Sequence, residues 1–269
     1  MKRVALIDGD FLVWRITPNK KQTPEQIAEY GDQTLRTFND ICLEIDKYFI
    51  ENILIPTRAD YYVGYLGTET NFRKTICEDY KMSRKSERPP YFSEANRYLH
   101  TKWGFHFISD MEAEDAVGIS INLLDPKLYD YIIVGQDHDL NQLEGLHYNP
   151  IRETWREISH VEADYLFVTQ LLTGCPTDKV CGVPGIGLVG AKKILGDIPN
   201  SYSDKSELRY SSEYFLSLLN LVTKAYVEKY GLYDGIYYFQ MNFRLLRILR
   251  ESKSFKLQDL SCITKDQNN

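Results

Sequence analysis

The residues with most chemistry to offer in this chain are carboxylates, grouped at the ends of apolar runs. "RVALIDGD" is an apolar run that stops at Asp8, Gly9 and Asp10. "DYIIVGQDHD" does the same at Asp137 and Asp139, and "FHFISDMEAED" leads into Glu112, Glu114 and Asp115. Gathered in one place, such groups repel one another, and a cation relieves the repulsion. All-oxygen ligands select hard ions, Mg²⁺ or Mn²⁺, over zinc or copper. Two such ions roughly 3.5–4 Å apart activate a water and stabilise the leaving oxygen in phosphodiester hydrolysis. Singly, the groups have plainer readings: the acids of "EAED" suit a helix start, Asp10 suits a turn or cap, and "DHD" is open to either role. Together, Asp8, Glu112, Glu114, Asp137 and Asp139 predict a metal pocket.

The elements that must position these acids are those of an α/β protein. "RVALID", "ADYYVGYL", "GFHFIS" and "DYIIVGQ" read as buried strands. A helical pattern precedes the second strand (Phe38, Ile41, Cys42, Ile45, Tyr48, Phe49). Another stops at Gly104, and "EAEDAVGISINLL" forms a third. Strands alternating with helices imply a mainly parallel central sheet flanked by helices, and ligands of such sheets gather beyond the strands' carboxyl ends. After about residue 160 the pattern turns helical, over 161–173, roughly 188–196, 212–230 and 236–250. Residues 69 to 91 are polar and basic, end in Pro89-Pro90 and read as an exposed helical excursion.

Composition sets the bounds. With 269 residues, 43% of them hydrophobic, the chain can build a substantial core. No apolar run approaches the ~20 residues of a membrane helix. Acids at Asp8 and Asp10 interrupt the N-terminal apolar segment, so it does not read as a signal peptide. Five scattered cysteines without a C-x-x-C pair point to reduced thiols in a cytosol and argue against structural zinc. The net charge of −6 argues against a nucleic-acid partner, but the sum hides a segregation. Within 73–88 stand Arg73, Lys74, Lys81, Arg84, Lys85 and Arg88 against Glu78, Asp79 and Glu87. On its own such a run reads as a solvated helix face.

"CGVPGIGLVGAKKIL" carries Gly185, Gly187 and Gly190 in the order G-x-G-x-x-G. The dinucleotide fingerprint needs a strand before the glycines, whereas "EADYLFVTQLLTG" has helical spacing and Pro176 and Pro184 follow it. A phosphate-binding P-loop fails as well, because Ala191 separates Gly190 from Lys192. What remains is helix, glycine turn, and a second helix with Lys192 and Lys193 in its early turns.

"ALIDGD", "DYKMSR", "EAEDAVGI", "VGQDHDL" and "TDKVCGVPGIGLVGAKKIL" occur in the order found in the 5′ nucleases, and over residues 3 to 195 the chain resembles that family. It comprises flap endonucleases, the 5′ nuclease domain of bacterial DNA polymerase I, and 5′–3′ exonucleases of tailed phages, whose compact length this chain shares. The resemblance implies a PIN-like nuclease core over 1–160, with a helical arch at about 69–91. It implies a helical DNA-binding part over 161–269, whose helix-three-turn-helix element holds the glycine turn at 182–190. It makes Lys81 and Arg84 the arch residues that reach the scissile phosphate, Tyr80 a base-stacking residue and Lys85 a DNA contact. Gly182, Gly185 and Gly187 would shape a turn that meets duplex phosphates together with Lys192 and Lys193, with a potassium ion on its backbone carbonyls. Asp115 and Asp178 join the metal ligands, and the cofactor is a pair of Mg²⁺ or Mn²⁺ ions. The implied partner is DNA with a 5′ end, flap or nick, bound by a monomer in the cytoplasm, without membrane and without a sliding-clamp peptide.

Two departures stand out. The family carries an acid after the second strand, where this chain has Leu66 and Gly67; Glu69 is the nearest replacement. The family reads G-D-x-x-D before the glycine turn, where "GCPTD" keeps Asp178 but has Cys175 for the first aspartate. Cysteine is a poor Mg²⁺ ligand. These departures keep a weakly catalytic DNA-structure-binding protein open as an alternative, beside RNase H-like primer removal.

Overall fold

The apolar run at the start of the chain forms β1 (Lys2–Asp8), buried from Val4 onward. A strand covered on both faces calls for parallel neighbours joined by helical crossovers. β1 has them in β2 (Tyr61–Gly67) and β4 (Tyr129–Val134), with Asp8 beside Tyr65 and Ile7 beside Val134. In this computed structural model, which describes residues 1–17, 28, 31–32, 36–82, 88–198, 208–252 and 260–262, the sheet runs β3-β2-β1-β4-β5-β6. Here β3 is His106–Ile108, β5 is Gly145–Asn149 and β6 is Thr154–Ile158. β1 to β5 pair parallel among themselves, and β6 is antiparallel to β5. A short strand, Ser261–Cys262, runs antiparallel to the start of β2. The four expected strands are present. β5 and β6 were not expected: β6 lies at the edge, exposed over four of its five residues, so its sequence lacks the alternation of a half-buried strand.

Alternate residues of the central strands supply two cores. Ala5, Ile7 and Leu66 face α1 (Asp10–Ile16), α2 (Phe38–Phe49) and α4 (Phe92–Trp103), meeting Phe11, Leu12, Ile45, Phe49 and Leu99. Val4, Leu6, Val63 and Tyr65 face α5 (Ala113–Leu123), meeting Ala116 and Val117. The expected stop at Gly104 is present, with φ +67. A third core belongs to α6 (His160–Thr173), α7 (Leu188–Leu195), α8 (Leu208–Tyr230) and α9 (Leu232–Leu246), where Phe167, Leu171, Val222, Tyr226 and Leu245 pack together. Between α6 and α7 a small hairpin pairs β7 (Gly174–Cys175) with β8 (Val180–Cys181). Among the described residues no helix is long and apolar enough to cross a membrane.

The basic segment departs from expectation. Between 71 and 82 it is not an exposed helical excursion: α3 (Arg73–Ile76) is four residues long, and turns follow it. The Arg73 side chain is 1% exposed. Its Nε donates to the Leu245 carbonyl at 2.9 Å, and Nη2 donates to the Arg247 carbonyl at 2.7 Å, tying the segment to the end of α9. Residues 83–87, with Arg84 and Lys85, lie outside the described residues.

Candidate active site

Three strand ends deliver acids to one cleft. Asp8 is the last residue of β1, and Asp10 opens α1 one residue beyond Gly9. The Asp10 N–H donates to Asp8 Oδ1 at 3.2 Å, and Asp10 Oδ1 accepts the N–H of Gly67, at the end of β2, at 2.9 Å. The loop after β3 places Glu112 as the N-cap of α5 and Glu114 in its first turn. Beyond β4, Asp137 caps a short 3₁₀ turn and accepts the Asp139 N–H at 3.0 Å. Asp8, Asp10, Glu112, Glu114 and Asp137 line a cleft of about 560 Å³, with Lys81 on its wall.

The electrostatics are those of carboxylates crowded out of water. Burial pushes Asp8 up to about 8, and the charges of Asp10 and Asp137 add to it. Burial pushes Asp10 up to about 6 against the hydrogen bond from Gly67, with Glu112 adding to the rise. Glu114 is raised well above the usual range by burial and by Glu112. Burial works the same way on Glu112, but Lys81 and Arg73 outweigh it and hold that carboxyl low. Asp137 is held at about 2: burial opposes ionisation, and a hydrogen bond with His138 and the Asp139 N–H overcome it. Buried carboxylates that line one cleft fit a hard divalent cation, which supplies the charge that their surroundings lack.

A second group lies alongside. Single ligand atoms of Asp139, Cys175 and Asp178 all come within 4.8 Å of one another. Asp139 is oriented by Gln170 at 2.5 Å, itself held by Gln142 at 2.7 Å. Asp178 ends the 3₁₀ turn Pro176–Asp178 inside the β7–β8 hairpin, and Cys175 is buried beside it. Burial raises the Cys175 thiol, whose Sγ lies 3.1 Å from Thr177 Oγ1. Lys81 joins the two groups, with Nζ 2.5 Å from Glu112 Oε1 and 3.9 Å from Asp178 Oδ2. Its own N–H donates to the Asp178 carbonyl at 3.0 Å, and its backbone is left-handed at φ +55.

The structure thus brings together Asp8, Glu112, Glu114 and Asp137 in the cleft and sets Asp139 and Asp178 next to it. Asp115 is a correction: it does not face the cleft. Its two oxygens accept from Arg73 Nη1 and Nη2 at 2.5 and 2.8 Å and from the N–H groups of Glu112 and Leu249 at 3.0 and 2.9 Å. With its lone pairs spent on a buried ion pair, it holds α5, α3 and the chain after α9 in place. Tyr80 is a second correction: it is 3% exposed and packs in the helical core with Ile76 and Cys77 nearby, so its ring offers no face to a base. Glu69 lies at the cleft rim with its side chain 77% exposed, paired to Arg88 at 2.8 Å. Asp10 is the cleft residue that a turn or cap reading overlooks.

At the glycine turn, the reasons for glycine differ along the chain. A Cβ on Gly182 would stand 2.3 Å from the Leu172 carbonyl oxygen and 2.4 Å from the Gly174 nitrogen, so this glycine lets two strands of backbone touch. Gly185 has φ +89, a conformation that favours glycine. Gly187 precedes α7 in extended conformation with nothing near its missing side chain. Lys192 and Lys193 are exposed, and Lys192 pairs with Asp197 at 2.7 Å.

No family model and no curated protein sequence matches the chain. Solved structures do. The bacteriophage T5 D15 protein co-crystallised with metal ions superposes with a TM-score of 0.56 at 15% identity, covering 91% of this chain and 100% of that one. The zinc-bound T5 5′-exonuclease gives 0.55 at 15% identity, covering 91% and 100%. A variant of the T5 flap endonuclease, in a pseudo-enzyme–product complex with DNA and metal ions, gives 0.52 at 16% identity, covering 91% and 99%. With its mostly parallel sheet flanked by helices, the chain has the PIN-like fold of these 5′-exonuclease and flap endonuclease structures.

Proposed function

We propose that the protein is a divalent-metal-dependent 5′ nuclease that hydrolyses phosphodiesters near DNA 5′ ends, as exonuclease or flap endonuclease, in replication or repair. The observation that carries this reading is the meeting of Asp8, Glu112, Glu114 and Asp137 in one cleft, on a fold shared with structures that hold metal ions and DNA. These four side chains would hold one ion, and Asp139 and Asp178 a second. Mg²⁺ or Mn²⁺, when bound, supplies a water acidic enough to attack at neutral pH and positive charge for the leaving oxygen.

The chain's own residues do the rest. Lys81, between the two acidic groups, neutralises charge developing on the scissile phosphate. His138, raised by its hydrogen bond to Asp137, orients that carboxylate. Residues 1–160 form the catalytic part. Residues 161–269 grip duplex DNA, with the backbone at Gly185 and Gly187 and the side chains of Lys192 and Lys193 on phosphates. Arg84 and Lys85, members of the basic run in the sequence, would contact the 5′ strand, and backbone carbonyls of the glycine turn would hold a potassium ion.

Cys175 favours a second reading, a DNA-structure-binding protein with feeble catalysis, because a buried thiol stands beside Asp178 and Asp139 where a third hard ligand would complete the site. Incubating labelled flap, nicked and RNA-primed substrates with Mg²⁺ or Mn²⁺ separates the readings. Release of short 5′ products from DNA flaps supports the nuclease, tight binding without products supports the second reading, and products from RNA-primed DNA alone support primer removal.

A further inference from the structure

We infer that Asp10 is a metal ligand of the cleft, and that Gly67 is glycine because the Asp10 carboxylate occupies the space of a side chain there. The inference rests on the metal-dependent reading above and names a ligand that it leaves out.

β2 enters the cleft between β1 and β3 and ends without a carboxylate of its own: Leu66 is buried in the core and Gly67 lines the cleft. Gly67 lies in regular parallel pairing with Ile108, outside the positive-φ region, so its backbone does not ask for glycine. Space does. A Cβ built on Gly67 would stand 2.8 Å from Asp10 Oδ2, and its three nearest atoms all belong to that carboxylate. The Gly67 N–H meanwhile donates to Asp10 Oδ1. An acid that served only the start of α1 would need no gap in the neighbouring strand. The fit of a side chain from α1 into the vacancy on β2 holds a hard oxygen donor in the cleft that Asp8 also lines. Asp8 in turn accepts the Asp10 N–H, which ties the Asp8 carboxylate to the start of α1.

The test is calorimetric titration of Mn²⁺ into the metal-free full chain, with melting temperature as the check on folding. Asp10→Asn keeps the size of the side chain and the acceptor for the Gly67 N–H but removes the charge. It is expected to weaken Mn²⁺ binding by about tenfold or more, with a melting temperature equal to or above that of the metal-free wild type. Gly67→Ala removes no charge; its methyl displaces the Asp10 carboxylate and is expected to weaken binding in the same direction. Asp10→Asn combined with Gly67→Asp returns a carboxylate to the same space from the other strand and is expected to recover affinity over Asp10→Asn alone. Asp137→Asn tests the underlying reading. If Asp137→Asn loses Mn²⁺ while Asp10→Asn and Gly67→Ala bind it like wild type, Asp10 is not a ligand and the nuclease reading stands. If Asp137→Asn also binds like wild type, the metal centre itself is wrong. Should the double variant fail to fold, the affinities of Asp10→Asn and Gly67→Ala decide.

Discussion

The ammonium of Lys81 lies 2.5 Å from the carboxylate of Glu112, a cation delivered by the chain into the cleft that Asp8, Asp10, Glu114 and Asp137 also line. The contact is made from a left-handed backbone position fixed by the Asp178 carbonyl, so the side chain is aimed rather than merely near. In the proposed nuclease, a cation held there meets a phosphate arriving at the acids. Lys81→Ala is therefore expected to lower single-turnover cleavage by roughly 10²–10³-fold, the loss typical of one charge-stabilising donor. Affinity for the same DNA, read by fluorescence anisotropy, should change far less. A variant that loses binding and cleavage equally would make Lys81 a general DNA contact.

Asp115 and Arg73 form a pair closed to solvent on both sides. Removing one partner leaves the other charge buried, at a cost of about 3–5 kcal/mol. Asp115→Leu should thus lower the melting temperature by many degrees, while Arg73→Met with Asp115→Leu together should cost less than the two single changes summed. Metal titration of the milder Asp115→Asn should give Mn²⁺ affinity close to wild type. A loss as large as that of Asp137→Asn would return Asp115 to the ligands.

Asp8 raised to about 8 and Asp10 raised to about 6 make the metal-free fold sensitive to pH. Unfolded carboxyls titrate near 4. A folded value above that contributes stability that is fully present below pH ~4 and lost as pH rises through the folded values. The metal-free melting temperature should accordingly decline between pH ~5 and ~8, and Asp8→Asn should flatten the decline. Saturating Mg²⁺ favours the ionised carboxylates and should remove it. A metal-free melting temperature that rises over this range in wild type and stays unchanged in Asp8→Asn would contradict the electrostatics of the cleft.

Cys175 faces Asp139 and Asp178. Replacing it by aspartate supplies a hard ligand, so Cys175→Asp is expected to lower the Mg²⁺ concentration for half-maximal cleavage. The added charge should depress melting without metal, and Mg²⁺ should restore it. Equal destabilisation with and without Mg²⁺, and an unchanged metal requirement, would show that the thiol only packs.

Lys192 and Lys193 are exposed beside the glycine turn. Their double replacement by alanine should weaken duplex binding and flatten its dependence on salt, measured as the slope of affinity against salt concentration. An unchanged slope would remove them from the DNA surface.

Much of this site is legible in the sequence because its acids end apolar runs, and a parallel sheet gathers strand ends at one edge. Asp8, Glu112, Glu114 and Asp137 follow from that rule alone. Asp115 does not, since it differs from Glu114 by one residue and so by about 100° around the helix. That rotation turns it to the interior, where its partner Arg73 is 42 residues away in sequence. Tyr80 is hidden for a similar reason: its segment looks polar throughout, but the buried Arg73 ties it onto the helical core. Asp10 and Gly67 are unreadable singly, one resembling a cap and the other a gap, and only their approach across 57 residues joins them. β6 escapes because a charged edge strand carries no periodic signal.

In the proposed nuclease, the acids of the cleft act through a divalent ion on a DNA 5′ end. The most direct measurement is single-turnover cleavage of a 5′-labelled flap by wild type and Asp137→Asn, with Mg²⁺ and with chelator, beside DNA binding by both proteins. Product is expected only from wild type with Mg²⁺, with comparable binding by the two. Cleavage by Asp137→Asn at the wild-type rate, or cleavage by wild type undiminished in chelator, would contradict it.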